Sequence, residues 1–298
     1  MKIFKHINVA HSPDADDIFM YKAIDFGWVS SKNLKLSATA LDIQSLNDEA
    51  LKGTYEATAI SFALYPLICE EYALLRTAVS FGEGYGPKLV KKKGAVLKRN
   101  FKVALSGKHT TNALLFRMAY PQARVIYKNF LQIESAVLSG EVDAGVLIHE
   151  SILDFSDELC VEREIWDIWS ELAGENLPLP LGGMAVRRSL PITDAIECER
   201  VLTEGVRIAT AHKPFLSHML LERNLIRVDD EKLEKYLSLY ANEASIELSG
   251  AQIRAVDRLF ELGYERGFYP APLSAQENFI PREYNEIRFA DCGGQNPL

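Results

Sequence analysis

Apolar residues in the first third of the chain fall into short runs that alternate with segments of helical periodicity. The runs predict strands over His6–Ala10, Leu34–Leu41 and Ala57–Phe62. Helices are predicted over Ile43–Lys52 and onward through Ile68–Leu74. Because such alternation is typical of α/β proteins with parallel strands, this part of the chain predicts one α/β unit.

A serine, a proline and three aspartates follow the first predicted strand. Ser12 is expected at the N-cap of a helix and Pro13 at its first position. The first turn then contains Asp14, Asp16 and Asp17. The helix dipole favours acidic side chains there, so the cluster needs no metal ion to explain it. The chain has no EF-hand spacing and no histidine at a ligand spacing from these acids, and we therefore expect no metal site.

A second α/β unit is predicted from near Lys98, and the chain becomes helical after residue 190. The strands of this unit are Phe101–Leu105, Arg124–Tyr127 and Val142–Ile148. The remaining predicted helices are Thr110–Tyr120, Gln132–Leu138, Thr193–Ala211, Lys213–Arg223, Asp230–Tyr240 and Ser249–Arg266. We therefore predict an α/β protein of two lobes, with residues 1–97 and 190–298 in the first and residues 98–189 in the second. Residues 274–298 are expected to form an extended tail.

The residues that follow each predicted strand are the candidates for chemistry. Ligands of open parallel sheets bind outside the carboxyl ends of the strands. A cleft between two such sheets would collect Ala10–Asp17, Ser61–Tyr65, Ser106–Thr111 and His149–Ser151. We predict the functional site at this cleft.

His149 ends an apolar strand and is followed by Glu150 and Ser151. A histidine that faces a crevice can act as a general base near neutral pH. The alternative is a hydrogen-bonded histidine with a structural role. The chain has no G-x-S-x-G nucleophile elbow, so serine hydrolysis is not predicted.

Thr110 and Thr111 begin the helix that follows a strand of the second unit. Their hydroxyl and backbone N–H groups make a candidate site for an anion such as a substrate carboxylate. Lys108 or His109 would add positive charge. Simple N-capping by threonine explains the same residues equally well, so the pattern leaves both interpretations open.

Charge and cysteine content narrow the classes of partner. The chain of 298 residues has Lys+Arg 33 against Asp+Glu 41, a net charge of −8. An acidic chain is not expected to bind nucleic acid or an anionic membrane. Its four cysteines have no metal-ligand spacing, and its first residues have no apolar signal segment. We expect a cytoplasmic protein with a small-molecule ligand; a homodimer is left open.

Several short strings occur in one order along the chain. They are SPDADDIF at 12–19, ISFALY around Ser61, the G-x-G-P of Gly84, Gly86 and Pro87, HTT at 109–111, IHES at 148–151 and LPLPLG at 177–182. In this order and spacing they resemble the 1,4-dihydroxy-6-naphthoate synthases, over about residues 7–265. The resemblance implies the fold of type II periplasmic binding proteins, in which two α/β lobes enclose a ligand cleft.

The same resemblance implies a reaction and its residues. The enzyme would be a carbon–carbon lyase that converts cyclic dehypoxanthinyl futalosine to 1,4-dihydroxy-6-naphthoate in menaquinone biosynthesis, without a cofactor. His149 would be the catalytic base. The residues expected to bind the substrate are Ser61, Thr110, Thr111, Ser12, Asp17, His109 and Gly86.

Two other functions remain open at this point. Chorismate dehydratase, an enzyme of the same pathway, has a similar fold, although the IHES and HTT strings favour the naphthoate synthase. A non-catalytic protein that binds a small ligand on the same fold is the second alternative, because a fold alone does not imply a function. A chorismate assay separates the first alternative, and turnover separates the second.

Overall fold

The computed structural model describes residues 4–226 and 228–283 of the chain, which form two β-sheets with helices packed on them. The strands in chain order are β1 (Lys5–His11), β2 (Leu34–Ala40), β3 (Ala57–Ser61), β4 (Tyr72–Leu74), β5 (Ser80–Gly82), β6 (Lys88–Lys92), β7 (Lys102–Leu105), β8 (Arg124–Tyr127), β9 (Ala144–Leu147), β10 (Leu159–Glu164) and β11 (Leu179–Arg187). The helices are α1 (Ala15–Asp25), α2 (Ile43–Leu51), α3 (Thr111–Ala119), α4 (Ile133–Ser139), α5 (Ile165–Ala173), α6 (Ile192–Ala211), α7 (Lys213–Glu222), α8 (Asp230–Tyr240) and α9 (Gly250–Glu265).

The first sheet has the order β2-β1-β3-β11-β4, and β5 also pairs with β11. The strands β2, β1 and β3 are parallel, as the alternating pattern predicts. The long strand β11 is antiparallel to β3, with Gly182 opposite Ser61. The carboxyl ends of β1 and β3 therefore lie at the same edge of this sheet.

The second sheet has the order β10-β6-β9-β7-β8. Its strands β8, β7 and β9 are parallel, and β6 is antiparallel to both β9 and β10. The carboxyl ends of β7 and β9 carry the segments that contain Thr110 and His149. Each sheet thus combines a parallel α/β unit with antiparallel strands from elsewhere in the chain.

The chain crosses between the two sheets twice. Strand β6 pairs in the second sheet, and β11 returns to the first. Strand β6 lies before the boundary predicted after residue 97 but pairs in the second sheet, and β11 lies before the boundary predicted after residue 189 but pairs in the first. The division into lobes stays a prediction.

One predicted helix is wrong. The segment expected to be helical through Ile68–Leu74 forms a 3-10 turn over Phe62–Leu67 and then strand β4. Pro66 lies inside this turn, and the segment is apolar except for Glu70 and Glu71. Periodicity cannot distinguish a buried strand from a helix in such a run.

The start of α1 also differs from the prediction. Asp14 is the N-cap, with φ −77° and ψ 161°, and Ser12 and Pro13 precede it. The Ser12 side chain instead bonds to Asp14 itself, which leaves the capping position to the aspartate. The predicted helices over Ile43–Lys52 and after residue 190 are confirmed to within two residues at each end.

The C-terminal helices pack on the first sheet. Gly205 of α6 lies against Ile24 of α1, where a Cβ would come within 2.8 Å of Ile24 Cγ1. Farther along, Ile280 donates its N–H to the carbonyl of Leu74 at 3.2 Å, beside β4. The remaining part of the predicted tail, residues 284–298, lies outside the described residues. No helix in the described ranges is both long and apolar enough to cross a membrane.

Candidate functional site

The strand ends of both sheets open on one cavity of about 110 Å³. The residues predicted for the site that line this cavity are Ser12, Asp17, Ser61, Thr110, Thr111 and His149. Its lining also contains residues that sequence reasoning did not assign to binding, which include Asp14, Asp16, Leu181, Gly182, Tyr236 and Tyr240.

His149 lies directly after β9, at the start of a 3-10 turn over His149–Ile152. Its backbone has φ +56°, a left-handed conformation that costs a residue with a side chain about 1–3 kcal/mol. The imidazole Nδ1 lies 2.6 Å from Oδ2 of Asp14. The Phe130 ring packs edge-on against the imidazole, with 4.9 Å between centroids. The side chain is therefore held in one orientation from two sides.

The other imidazole nitrogen, Nε2, is buried and has no hydrogen-bond partner among the described residues. Burial lowers the pKa of His149, but the carboxylate of Asp14, and then those of Glu150 and Asp16, raise that pKa to about 9. The imidazole therefore holds its proton strongly. Since Asp14 accepts the Nδ1 proton, Nε2 is the nitrogen left to exchange a proton with a ligand.

A hydrogen-bond network joins the turn after β1 to the turn after β9. Ser12 donates its hydroxyl proton to Oδ1 of Asp14 at 2.5 Å, and its backbone N–H to Oδ2 of Asp17 at 2.7 Å. Glu150 accepts the backbone N–H of Ala15 at 2.9 Å. The acidic SPDADD segment of the first sheet and the IHES segment of the second sheet thus form one structure.

Asp16 and Asp17 both line the cavity but differ in their hydrogen bonds. Burial and the neighbouring charge of Asp14 raise the pKa of Asp17 to about 7, although the Ser12 N–H opposes the shift. Burial and the charges of Asp17 and Asp14 raise the pKa of Asp16 well above its usual range. Oδ1 of Asp16 is buried without a hydrogen-bond partner in the described part of the chain.

Ser61 is held by a buried asparagine on α2. Oδ1 of Asn47 accepts the Ser61 N–H at 3.0 Å, and Nδ2 of Asn47 donates to Oγ of Ser61 at 3.1 Å. Because the hydroxyl already accepts one bond, its own proton remains to donate to a ligand. The sequence offered no signal for Asn47, which lies in a helix well before the strand it supports.

Thr110 and Thr111 both line the cavity, and their hydroxyls have protein partners. Thr110 is the N-cap of α3, and its Oγ1 accepts the Ala113 N–H at 3.4 Å. Thr111 donates its hydroxyl to the carbonyl of Leu181 at 2.9 Å and accepts the Ala63 N–H at 3.2 Å. Thr111 thereby joins α3 to β11 of the other sheet. Capping by Thr110 is confirmed, and substrate binding by either threonine stays a prediction.

Two predicted site residues do not line the cavity. His109 lies in a separate surface pocket with Lys108 and Arg117. Gly86 packs against β11, where a Cβ would approach Leu179 Cδ2 to 2.9 Å, and it is the adjacent Pro87 that lines the cavity. Thr110, the N-cap of α3, lines both that pocket and the cavity.

Helix α8 covers the cavity with two buried tyrosines, Tyr236 and Tyr240. Tyr85 donates its hydroxyl to the carbonyl of Leu239 at 2.6 Å, and Lys232 pairs with Asp154 at 2.6 Å. The helix is thus attached near both of its ends to segments that flank the second sheet. Spacing of four residues puts both tyrosines on one face of α8, but the sequence does not tell what that face covers.

The charge of the cavity is unevenly distributed. Asp14, Asp16 and Asp17 lie together with His149, and no lysine or arginine is found among the described residues that line the cavity. Thr110 and Thr111, at the start of α3, contribute the positive end of a helix dipole to the same lining. The arrangement suits a ligand whose anionic group lies at α3 and whose reacting group lies at His149.

The sequence pattern of a protein family described as menaquinone biosynthesis matches residues 7–265 of the chain. A 1,4-dihydroxy-6-naphthoate synthase of Thermus thermophilus is 30% identical over 89% of this chain and 97% of its own. The corresponding enzyme of Streptomyces coelicolor is 27% identical over 89% of this chain and 95% of its own.

Solved structures give the same picture of the fold. A protein of Archaeoglobus fulgidus with 33% identity aligns with a TM-score of 0.81 over 88% of this chain and 98% of its own. The periplasmic aliphatic sulphonate-binding protein of Escherichia coli, only 10% identical, aligns with a TM-score of 0.63 over 98% of this chain and 96% of its own. The predicted fold class, an α/β protein like the periplasmic binding proteins, is confirmed.

Proposed function

The chain belongs to the menaquinone biosynthesis family, and on this premise we propose that it converts cyclic dehypoxanthinyl futalosine to 1,4-dihydroxy-6-naphthoate. The names of the curated relatives support this reaction. The observation that carries the proposal is the position of His149, whose Nε2 is buried and unpartnered among the described residues of a cavity that joins both sheets.

His149 is the general base of the proposed reaction. Asp14 accepts the Nδ1 proton at 2.6 Å and so fixes the tautomer in which Nε2 carries the lone pair. Nε2 takes a proton from the substrate and starts a fragmentation that resembles a retro-aldol reaction. Because the pKa of His149 is about 9, only the deprotonated fraction of the imidazole can act as the base at neutral pH.

The substrate carboxylate binds at the start of α3 in the proposed complex. The start of α3 offers the positive end of a helix dipole next to Thr110 and Thr111, and Ser61 offers a hydroxyl proton. The carboxylates near His149 repel an anion. The substrate therefore enters with its carboxylate towards α3 and its reacting part towards His149.

The proposed reaction needs no redox cofactor, because formation of the aromatic ring provides much of its driving force. The residues then have to move protons, hold the substrate and exclude water. A cytoplasmic location is part of this proposal and rests on the sequence. The proposal that the ligand is a small molecule rests on the sequence as well.

Turnover by the purified protein tests the proposal. Incubation with cyclic dehypoxanthinyl futalosine and no added cofactor is expected to give 1,4-dihydroxy-6-naphthoate. Chromatography measures the product. His149→Ala should lower the rate by about 10²–10⁴-fold, the usual contribution of a positioned base. His218→Ala is the matched control, since His218 is exposed on α7 and pairs with Glu222, away from the cavity.

Three outcomes would contradict the proposal in different ways. Wild-type turnover by a folded His149→Ala protein would remove His149 as the base. No product, but conversion of chorismate, would assign the chain to the dehydratase reaction. Tight binding of the futalosine derivative without any turnover would leave a binding protein on the same fold.

A further inference from the structure

Asp16 is a buried acid that the proposed reaction has not yet used. It lies in the first turn of α1, is 4% exposed and lines the same cavity as His149. Its neighbours in the SPDADD segment all have donors. Asp14 pairs with His149 and Ser12, and Asp17 accepts the Ser12 N–H.

Asp16 differs from these neighbours because Oδ1 has no hydrogen-bond partner among the described residues, although it is shielded from solvent. A carboxylate in such a place would lack the donors that normally compensate burial of a charge. A neutral carboxylic acid avoids that cost and carries an O–H that can be given to a ligand. The geometry therefore favours the protonated form.

The carboxylates around Asp16 also favour its protonated form. The titratable groups that face it are Asp14 and Asp17 on its own segment, His149 and Glu150 after β9, and Tyr236 and Tyr240 on α8. Burial comes first, and the charges of Asp17 and Asp14 come next, in raising the pKa of Asp16 well above its usual range. The His149 imidazolium opposes the shift but does not reverse it.

We propose that Asp16 is a second catalytic residue, the proton donor that acts together with His149 as the base. This inference rests on the proposed function. It places two opposite proton-transfer roles at one end of the cavity. Two neighbouring titratable groups can take the roles of donor and base when their surroundings hold them in different protonation states. Here burial keeps Asp16 neutral, and Asp14 orients His149.

Nε2 of His149 takes a proton from a hydroxyl of the substrate, and the electron pair of that O–H bond forms a new C=O bond. The adjacent C–C bond breaks, and its electron pair moves through the ring system to a carbonyl oxygen. The O–H bond of Asp16 breaks, and an O–H bond forms on that oxygen, which becomes a hydroxyl of the product. Asp16 ends as a carboxylate and His149 as an imidazolium. One proton then returns from His149 to Asp16 through water, and no electron is gained or lost.

Asp16→Asn tests the proposal in the reaction, because the amide keeps the size of the side chain but cannot give up a proton. We expect kcat to fall by about 10²–10⁴-fold with a small change in KM. The decline of activity at high pH, which reports loss of the donor proton, should disappear. Asp16→Glu should restore part of kcat. Asp194→Asn is the matched control, an aspartate in the first turn of α6 that pairs with Lys5 outside the cavity.

An infrared measurement tests the protonation of Asp16 without any turnover. A protonated carboxylic acid has a C=O stretch that a carboxylate lacks. At pH 8, above the pKa of about 7 of Asp17, we expect this band in the wild-type protein and in Asp194→Asn. It should be lost in Asp16→Asn and return at a shifted frequency in Asp16→Glu, a variant that also serves if Asp16→Asn does not fold.

The two readouts separate this inference from the proposed function. Wild-type kcat in a folded Asp16→Asn protein, or a band unchanged by either substitution, would overturn the role of Asp16 even if the futalosine derivative is converted. A wild-type protein that does not convert that substrate would refute the proposed function. In that case the infrared band still shows whether Asp16 is protonated, but Asp16 would no longer be a proton donor in this reaction.

Discussion

The pair formed by Asp14 and His149 links the chemistry of the cavity to two single residues that lie far apart in sequence. Asp14 raises the pKa of His149 to about 9 against the opposing effect of burial, which is the largest single influence. Activity that needs the neutral base should therefore rise with pH up to about that value. The sequence predicted His149 from its place after a strand, but Asp14 was expected only as a first-turn acid.

Asp14→Asn should move this rise of activity to lower pH. The amide has no charge to stabilise the imidazolium, so the pKa of His149 falls and the base becomes available earlier in a titration. The rate at neutral pH depends on two opposing effects, a larger neutral fraction and a weaker base, so the midpoint of the pH profile is the quantity to measure.

Asp194→Asn, with the same change outside the cavity, should leave that midpoint in place. An unshifted midpoint in Asp14→Asn would mean that the ion pair does not control the titration of His149.

Asn47 is the residue that sequence reasoning missed most completely. Its amide fixes Ser61 by two hydrogen bonds, at 3.0 and 3.1 Å. A buried polar residue on a helix gives no sign in the sequence of which strand it will meet. Ser61, in contrast, could be predicted because it ends a strand of the parallel unit.

At the scale of elements, helix α8 was predicted with its observed bounds, Asp230–Tyr240, and its function was not. Local patterning determines where a helix begins and ends, whereas its partner depends on contacts across the whole chain. The same reason explains why the antiparallel strands β4, β5, β10 and β11 were not predicted. They pair with strands distant in sequence and lack the regular alternation of a parallel unit.

Tyr85→Phe should loosen α8 over the cavity. The change removes the 2.6 Å hydrogen bond from the Tyr85 hydroxyl to the carbonyl of Leu239 and leaves the aromatic contact with Tyr240 in place. A hydrogen bond of this kind contributes about 0.5–1.5 kcal/mol. We expect KM for the substrate to rise severalfold with a smaller change in kcat, measured by steady-state kinetics.

Tyr264→Phe on α9 is a suitable control, because Tyr264 is 45% exposed and does not line the cavity. Equal kinetics for both variants would mean that the attachment of α8 does not contribute to binding.

Gly205→Val should disturb the packing of α6 on α1. Since even a Cβ at this position would lie 2.8 Å from Ile24 Cγ1, the helices have to move apart or Ile24 has to change rotamer. Overpacking of this kind costs about 1–3 kcal/mol, and thermal unfolding measures the loss.

Gly250→Val provides the comparison at the start of α9, where among the described residues a Cβ would meet Nη1 of Arg254, at 3.8 Å. A similar loss of stability in both variants would contradict the packing argument.

For the whole molecule, the two-lobed fold class and the family could be predicted because the motif strings and the parallel units are local features of the sequence. The relative position of the two sheets could not, since it depends on where the chain passes from one sheet to the other, before β6 and again before β11. The cavity combines both kinds of information. Its residues follow predicted strand ends, and its hydrogen bonds run between the sheets.

The pH dependence of stability is a property of the whole molecule. The pKa of His149 is raised to about 9 and that of Asp17 to about 7 in the folded state. The folded chain therefore holds protons that the unfolded chain has released, and stability contributed by these groups is lost as pH rises. For Asp17 the loss extends from about pH 4 to 7, and for His149 from about pH 6.5 to 9.

Thermal unfolding at pH 5, 7 and 9 would measure this dependence. We expect the midpoint of the wild-type protein to decline more steeply than that of Asp17→Asn between pH 5 and 7. A steeper decline in the variant would reverse the sign of the argument.

Because Asp14 pairs with His149, the basicity of the imidazole depends on the distance between the two halves of the molecule that carry these residues. The aspartate belongs to the first sheet and the histidine to the second, so their 2.6 Å contact exists only while the two halves of the molecule are together. Parting the halves would return the imidazole to the ordinary acidity of a histidine in water. A nuclear magnetic resonance titration of the His149 side chain would thus report, in solution, whether the two halves of the protein are in contact.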